Sequence, residues 1–313
     1  MNTLTVLAPG LLTTVQDLGR EGFGAIGVSA SGAADALALR VGNKLLGNPE
    51  GAAALEMTLL GGTFQFSGET WSAISGSDFG VTLDGQSLAT HTVFKVQPGQ
   101  TLQFGPTKSG ARAYLCVRGG LDVPKVLGSR STHLLSGLGG FEGRALRKGD
   151  VLPLGGAANT MQPRKIAENW LTTFSPRKTI RVTEGPQWVS FSDEVRKSFF
   201  AQSYLVTEEA NRMGIRLRGS QTPLPSVGEM ITEGVSLGAI QLPSGGQPII
   251  LFVEQQTTGG YPIIANVIAA DLASVGQLRP RDEIRFELVS MLDAQKLFRE
   301  QERILASPEF VES

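Results

Sequence analysis

Three polar segments of this 313-residue chain stand beside apolar runs, where a plain β-fold has no use for them. The first spans Thr13 to Asn43 and contains Thr14-Val15-Gln16-Asp17-Leu18-Gly19-Arg20, then Ser31-Gly32-Ala33-Ala34-Asp35, then Asn43. With Ala33 to Leu46 read as a helix, Ser31 and Asp35 lie one turn apart on one face. The N–H groups of the helix N-terminus beside them suit a carboxylate or phosphate. A plainer role fits equally: Ser31 caps the helix and Asp35 complements its dipole. The second segment is Asn211-Arg212-Met213-Gly214, a loop whose Arg212 fork matches a carboxylate or phosphate, while Arg216 and Arg218 beyond it read as a solvated strand. The third follows the apolar run Ile249 to Val253. There Gln255, Gln256, Thr257 and Thr258 offer hydrogen bonds, Gly259 and Gly260 admit a ligand to the backbone, and Tyr261 closes the loop.

Other patterns carry less chemistry. Gly22-Phe23-Gly24-Ala25-Ile26-Gly27 spells the dinucleotide fingerprint, but that motif works only where it joins a strand directly to a helix, and here Val28 to Gly32 intervene. No Gly-Lys pair exists, so there is no phosphate loop of the common kind. Ser175-Pro176-Arg177-Lys178 has nucleophile spacing, yet its proline argues for a loop. Only His91, His133 and Cys116 could serve as soft metal ligands, and their spacing predicts no metal site. His91 reads as an exposed turn residue and His133 as a packing residue. The 28 basic and 29 acidic residues leave a net charge of -1, which gives no field for nucleic acid. A single cysteine excludes an internal disulfide, and no apolar window is long enough for a membrane span, so a cytoplasmic location is expected.

The elements that must position these segments are short, β-branched and bounded by glycine or proline. Thr63 to Phe66, Trp71 to Ser75, Phe79 to Leu83, Thr92 to Val96 and Thr101 to Phe104 predict strands of an antiparallel meander over residues 53 to 118, turning at Asp84-Gly85 and Pro98-Gly99. A second set follows at Thr179 to Val182, Tyr204 to Val206, Ile215 to Leu217, Ala239 to Leu242, Pro248 to Val253 and Glu283 to Val289. Helices are few: Ala33 to Leu46 stopped by Gly47, a short one capped by Ser190, and Met291 to Leu305 capped by Ser290 with Met291, Ala294, Phe298 and Leu305 inward. The 39 glycines, against an average near 7 %, fit many tight turns. The expected class is mainly β with peripheral helices, in domains 1–156 and 164–313 joined by a linker at Gly155 to Pro163.

Taken in order, TTVQDLGR, the SGAAD to GN stretch, RAYLCVRGGLDVPKVLGSRST, GRALRKGD, NRMGIRLRG, GAIQLP and QTTGGYP resemble the biotin-dependent carboxyltransferase family. That family includes the C subunit of 5-oxoprolinase, an antagonist of a sporulation-kinase inhibitor, and the carboxyltransferase region of urea carboxylase, also known as allophanate hydrolase subunit 2. Two departures are local: Glu254-Gln255 replaces an Asp-Arg pair before QTTGGYP, and Arg281 replaces a glycine. The resemblance implies two cyclophilin-like β-barrel domains. It implies an enzyme, an ATP-hydrolysing 5-oxoprolinase active only with its partner B and A subunits, in which 5-oxoproline opens to L-glutamate and ATP is bound by the complex. Biotin-dependent carboxyl transfer and noncatalytic antagonism of a kinase inhibitor are the alternatives. On this reading Ser31, Asp35, Arg212, Gln256 and Thr258 share one ligand groove with the B subunit. Asp35 is the acid-base candidate, and Asn43, Thr257, Gly259, Gly260 and Tyr261 contribute to substrate binding.

Overall fold

The computed structural model describes residues 2–156, 161–171, 175–225 and 230–312. The chain forms two compact units, one from Met1–Arg20, Ser31–Ser175 and Leu305–Ser313, the other from Glu21–Ala30 and Pro176–Ile304. Both are built mainly of β-strands. Of the segment read as a linker, Gly155 donates its N–H to Gly120 O at 2.8 Å, and residues 157–160 lie outside the described residues.

In the first unit two antiparallel sheets face each other. One runs in the order Val151–Pro153, Thr3–Ala8, Thr63–Phe66, Thr101–Gln103, Thr82–Leu83, Gln86–Ser87. The other runs Leu12–Gln16, Ala54–Thr58, Arg112–Val117, Thr70–Gly76, Val93–Val96. Alternate residues from both, among them Leu4, Phe64, Leu102, Met57, Ile74 and Leu115, make one buried core. Each such side chain contributes about 1.5–3 kcal/mol by leaving water. The predicted meander is corrected here. Thr63–Phe66 and Thr70–Gly76 are consecutive in sequence yet belong to different sheets, and Pro98-Gly99 carries the chain across from one sheet to the other. Asp84-Gly85 does form a hairpin, pairing Leu83 with Gln86. Strand propensity locates the strands, but partner choice follows from which faces must meet in the core.

The helix Ala36–Leu46 packs on this second sheet, ended by Gly47 in the left-handed conformation (φ 62°). Its close approach depends on Gly42: a Cβ there would stand 2.6 Å from Cys116 Sγ and 2.7 Å from Ser75 Oγ. Cys116 is fully buried, and burial pushes its thiol up to about 12, which leaves it inert.

The second unit is a closed barrel in the order Thr179–Glu184, Ile263–Val267, Ala239–Gln241, Ile249–Leu251, Gly214–Arg218, Tyr204–Val206, Glu283–Leu288. The parallel pairing of Thr179–Glu184 with Glu283–Leu288, Thr179 opposite Arg285, closes it, and closure removes the exposed edges. Ile263–Val267 was not anticipated from the sequence. The helix Asp193–Ala201 begins with Ser192, whose hydroxyl accepts from Val195 N–H, so the predicted cap at Ser190 shifts by two residues. Its Phe199 stacks on Phe286 of the last barrel strand at 5.1 Å. The last helix, Met291–Ala306, is capped by Ser290 as predicted, but only Ala294 and Leu305 of its four predicted inward residues are buried. Among the described residues, no helix is long and apolar enough to cross a membrane.

Candidate functional site

In the first unit the N-terminus of the helix Ala36–Leu46 is already furnished with acceptors. Asp35 is its cap, with Oδ1 accepting from Ala38 N–H at 2.8 Å. Ala34 N–H donates to Glu56 Oε2 at 2.8 Å, and Asp35 N–H donates to the Tyr114 hydroxyl at 2.8 Å. Tyr114 in turn donates to Glu56 Oε2 at 2.7 Å. Burial, helped by the charges of Glu56 and Asp35, pushes the Tyr114 phenol well above its ordinary range, so it stays a donor. Arg112 Nε lies 3.8 Å from Glu56 Oε1. Three N–H groups that the sequence offered to an anion are thus engaged by the protein itself.

Ser31 is buried, and its hydroxyl donates to Thr132 O at 2.7 Å. It does not cap the helix. Nearby in the chain, Asp17 takes donors from four residues: Gly19 N–H at 2.8 Å, Ser129 Oγ at 2.7 Å, Arg130 N–H at 2.6 Å, and the Ser131 hydroxyl. Arg20 donates to Ser131 O and Gln16 Nε2 to Thr132 O at 3.1 Å, so the QDLGR string is pinned to residues 129–132. Asn43 is fully buried; its amide donates to Glu50 O at 3.0 Å and Ala52 O at 2.7 Å, and its carbonyl accepts from Asn48.

In the second unit Arg212 and the loop after Val253 come together. Asn211 Oδ1 accepts from Met213 N–H at 2.8 Å, a turn that presents Arg212. Arg212, only 5 % exposed, is ion-paired through Nε with the buried Glu254, and Glu254 N–H donates to Arg212 O at 2.8 Å. The carboxylate that Arg212 meets is therefore the chain's own. Beyond it Thr258–Gly259 pairs with Glu233–Gly234, while Gln256, Thr258, Gly260 and Tyr261 face solvent. Gly259 is required by close approach: a Cβ on it would stand 2.5 Å from Gln241 Nε2 and 3.1 Å from Gln256 Nε2. Gln241 is 2 % exposed, and its Nε2 has no hydrogen-bond partner among the described residues. Gln255 donates to Val235 O at 3.1 Å, leaving its own buried Oε1 without a partner among the described residues. Gln241 Nε2 and Gln255 Oε1 are thus a donor and an acceptor left unmatched, among the described residues, in the buried part of this region.

The remaining motifs resolve into structure. Gly24–Ile26 is a 3-10 turn with no helix directly after it. Ser175 Oγ donates to Leu171 O, whereas Lys178 pairs with Asp282 at 2.6 Å. His133 is buried, and its Nδ1 accepts from Ser136 N–H at 3.1 Å. His91, expected to be exposed, is half-buried between Ile74 and Ile166, bonding both through its backbone, and burial lowers its imidazole to about 4. No group of three or more His, Cys, Asp or Glu able to hold a metal is present among the described residues.

The family model for the carboxyltransferase domain, subdomain A and B, matches residues 26–288. The chain belongs to this carboxyltransferase family. It is 37 % identical to the C subunit of 5-oxoprolinase from Escherichia coli over 96 % of both chains, and 39 % identical to the C subunit of 5-oxoprolinase from Haemophilus influenzae over 92 % of both. It is also 37 % identical to urea amidolyase of Saccharomyces cerevisiae, in a match that takes in 97 % of this chain but 18 % of that one. The crystal structure of the K. lactis urea amidolyase superposes with a TM-score of 0.91 at 35 % identity, over 97 % of this chain and 20 % of that one.

As a carboxyltransferase-family chain, the protein keeps the motif strings but shows what they do locally. Sequence reading missed Glu254 as the partner of Arg212 and Gln241 as the donor beneath Gly259. Both carried a signal: each is a polar residue inside or directly after an apolar strand, a position where an unpaired group is costly. It also missed Glu56, a carboxylate in the middle of the buried strand Ala54–Thr58.

Proposed function

We propose that this chain is the C subunit of an ATP-dependent 5-oxoprolinase that works with its B and A subunits to open 5-oxoproline to L-glutamate. The observation that carries the reading is mutual coverage at 37–39 % identity with the C subunits of two bacterial 5-oxoprolinases. A lactam is a poor electrophile, so transfer of a phosphoryl group from ATP to its oxygen makes the ring carbon open to water. Water adds to that carbon and the C–N bond breaks, so that the ring nitrogen leaves, protonated, as the amine and the carbon becomes an acyl phosphate. A second water then hydrolyses the acyl phosphate to the side-chain carboxylate of glutamate and free phosphate. ATP is a co-substrate of the complex; the described residues offer no lysine-bearing phosphate loop, and no step through ATP is assigned to this chain. Here Gln256 and Thr258, exposed beside Gly259 and Gly260, bind the amide or phosphoryl oxygens, with Thr257 and Tyr261 completing the loop. Arg212, locked by Glu254, sets the root of that loop.

The decisive experiment follows glutamate and ADP formation by the purified chain with and without its cognate B and A subunits. The chain alone is expected to be inactive and the complex active. Gln256→Ala should abolish turnover while the melting temperature and subunit association stay as they were, because Gln256 is exposed. Robust turnover by the chain alone, or full activity of Gln256→Ala in the complex, would sink the proposal. The likeness to urea amidolyase favours a second reading, carboxyl transfer from carboxybiotin to a urea-like amide. Biotin-dependent carboxylation by the assembled complex, without ADP formation from 5-oxoproline, would select it.

A further inference from the structure

The second unit holds a concavity beside the helix Asp193–Ala201 that none of the motifs above touches. Its volume is about 850 Å³, within the range of roughly 300–1,000 Å³ that small-molecule sites occupy. Trp188, Phe200 and Leu288 supply an apolar floor, continuous with the buried Phe199 and Phe286 behind it. Three cations line the same space: Arg196, Lys197 and Arg285. Arg196 stacks over the Trp188 ring at 5.1 Å and is paired with Asp193 at 2.5 Å, yet its buried Nε has no hydrogen-bond partner among the described residues. Lys197 and Arg285 have no ion-pair partner among the described residues. Glu287 is the one further carboxylate in the lining, and its field also reaches Arg181.

We propose that this concavity is a ligand site for a small organic anion with a flat apolar body, of the aromatic carboxylate class. An aromatic floor takes up a planar ring by stacking, and Arg196, lying over Trp188, extends that floor with a planar cationic face of its own. Asp193 neutralises Arg196, which leaves two cations against Glu287, so the rim favours one negative charge. A neutral ring would bury the same apolar area but leave Lys197 and Arg285 unmatched. This site does not depend on the 5-oxoprolinase reading.

The test is calorimetric titration of the full chain with 2-naphthoate and with its neutral counterpart 2-naphthylmethanol, with Trp fluorescence as a second readout. Naphthoate is expected to bind saturably at one site per chain, at least tenfold tighter than the alcohol. Lys197→Glu with Arg285→Glu should weaken it at least tenfold, and Leu288→Trp, which fills the exposed floor, should block both probes. All three positions are surface residues, so the melting temperature should hold. Equal affinity for acid and alcohol, or no saturable binding of naphthoate, overturns the proposal. So does protection of Lys197 from acetylation by the cognate subunits without naphthoate binding, which would make the face a protein contact.

Discussion

Asp17 and Glu254 are both buried carboxylates at the head of a polar motif, one in each unit, and the protein holds them by opposite means. Asp17 is ringed by N–H and O–H dipoles from Gly19, Ser129, Arg130 and Ser131, donors spread over two stretches of chain. Glu254 meets the guanidinium of Arg212, a full charge brought by one side chain. The first arrangement distributes the cost of burial and cannot be replaced by any single partner. The second concentrates it in a pair whose desolvation penalty is large and whose attraction barely offsets it. A dipole-ringed carboxylate is therefore a folding device for its loop, whereas an ion pair at a loop root can be exchanged for apolar packing without losing the fold.

The largest expected effect is at Asp17. Asp17→Ala leaves several buried donors unmatched, at ~1–3 kcal/mol each, so the loss of stability should reach about 4 kcal/mol or more and loosen residues 129–132. Chemical denaturation with hydrogen exchange would measure it, and a loss below about 1 kcal/mol would remove the distinction. Glu254→Ala should cost on the order of 3–5 kcal/mol by removing the carboxylate that the buried Arg212 pairs with. The pair is then sharpened by rescue: Arg212→Met with Glu254→Leu should recover most of that loss, while no single replacement of Ser129 or Ser131 should rescue Asp17→Ala. If the Arg212 and Glu254 losses simply add, the two carboxylates are not held differently.

How far the sequence reached depends on the range of the interaction. Strand and helix positions were legible because period and turn chemistry are local, as Gly47 and Ser290 show. Pairing was not, because Thr63–Phe66 and Thr70–Gly76 part into different sheets for reasons that lie in the far side of the core. Among the site candidates, the position of the polar run Gln255–Tyr261 just after the strand Ile249–Leu251 was legible. The role of Arg212 was not, since its partner Glu254 lies 42 residues away and only the fold brings them together. Ser31 and Asp35 looked open to a ligand because the acceptors for the helix N-terminus come from Glu56 and Tyr114, distant in sequence.

A smaller effect tests whether the first unit also contains an unmatched group. His91 Nδ1 is buried and lacks a partner among the described residues, and burial lowers the imidazole from 6.5 to about 4. The neutral form is favoured on folding, so the unfolded chain binds more protons between those values. Its contribution is complete above pH 6.5 and is lost as pH falls toward 4, by on the order of 1–3 kcal/mol. His91→Asn tolerates the left-handed backbone at this position (φ 60°) and should flatten the stability profile between pH 6.5 and 4 relative to the parent. Parallel profiles for the two proteins would show that His91 is not the group responsible.

The smallest effect belongs to the second unit, at the position where Arg281 stands in place of the glycine suggested by the family resemblance. Its φ is 71°, a region that costs an L side chain about 1 kcal/mol and glycine almost nothing. Arg281 N–H donates to Val206 O at 2.8 Å, so the strand Tyr204–Val206 fixes that conformation regardless of the side chain. In compensation the guanidinium pairs with Glu208 at 2.9 Å, but both side chains are exposed, and such pairs are worth only ~0–1 kcal/mol. Glycine also gives the unfolded chain more freedom, which takes back part of the gain. Strain relief should still narrowly win at high salt, where the ion pair is screened. Arg281→Gly is therefore expected to be neutral or slightly destabilising at low ionic strength and to gain up to about 0.5 kcal/mol on the parent in about 1 M salt. The salt dependence decides the matter: if the difference between the two proteins does not move with ionic strength, the Glu208 pair contributes nothing and backbone strain alone sets the sign.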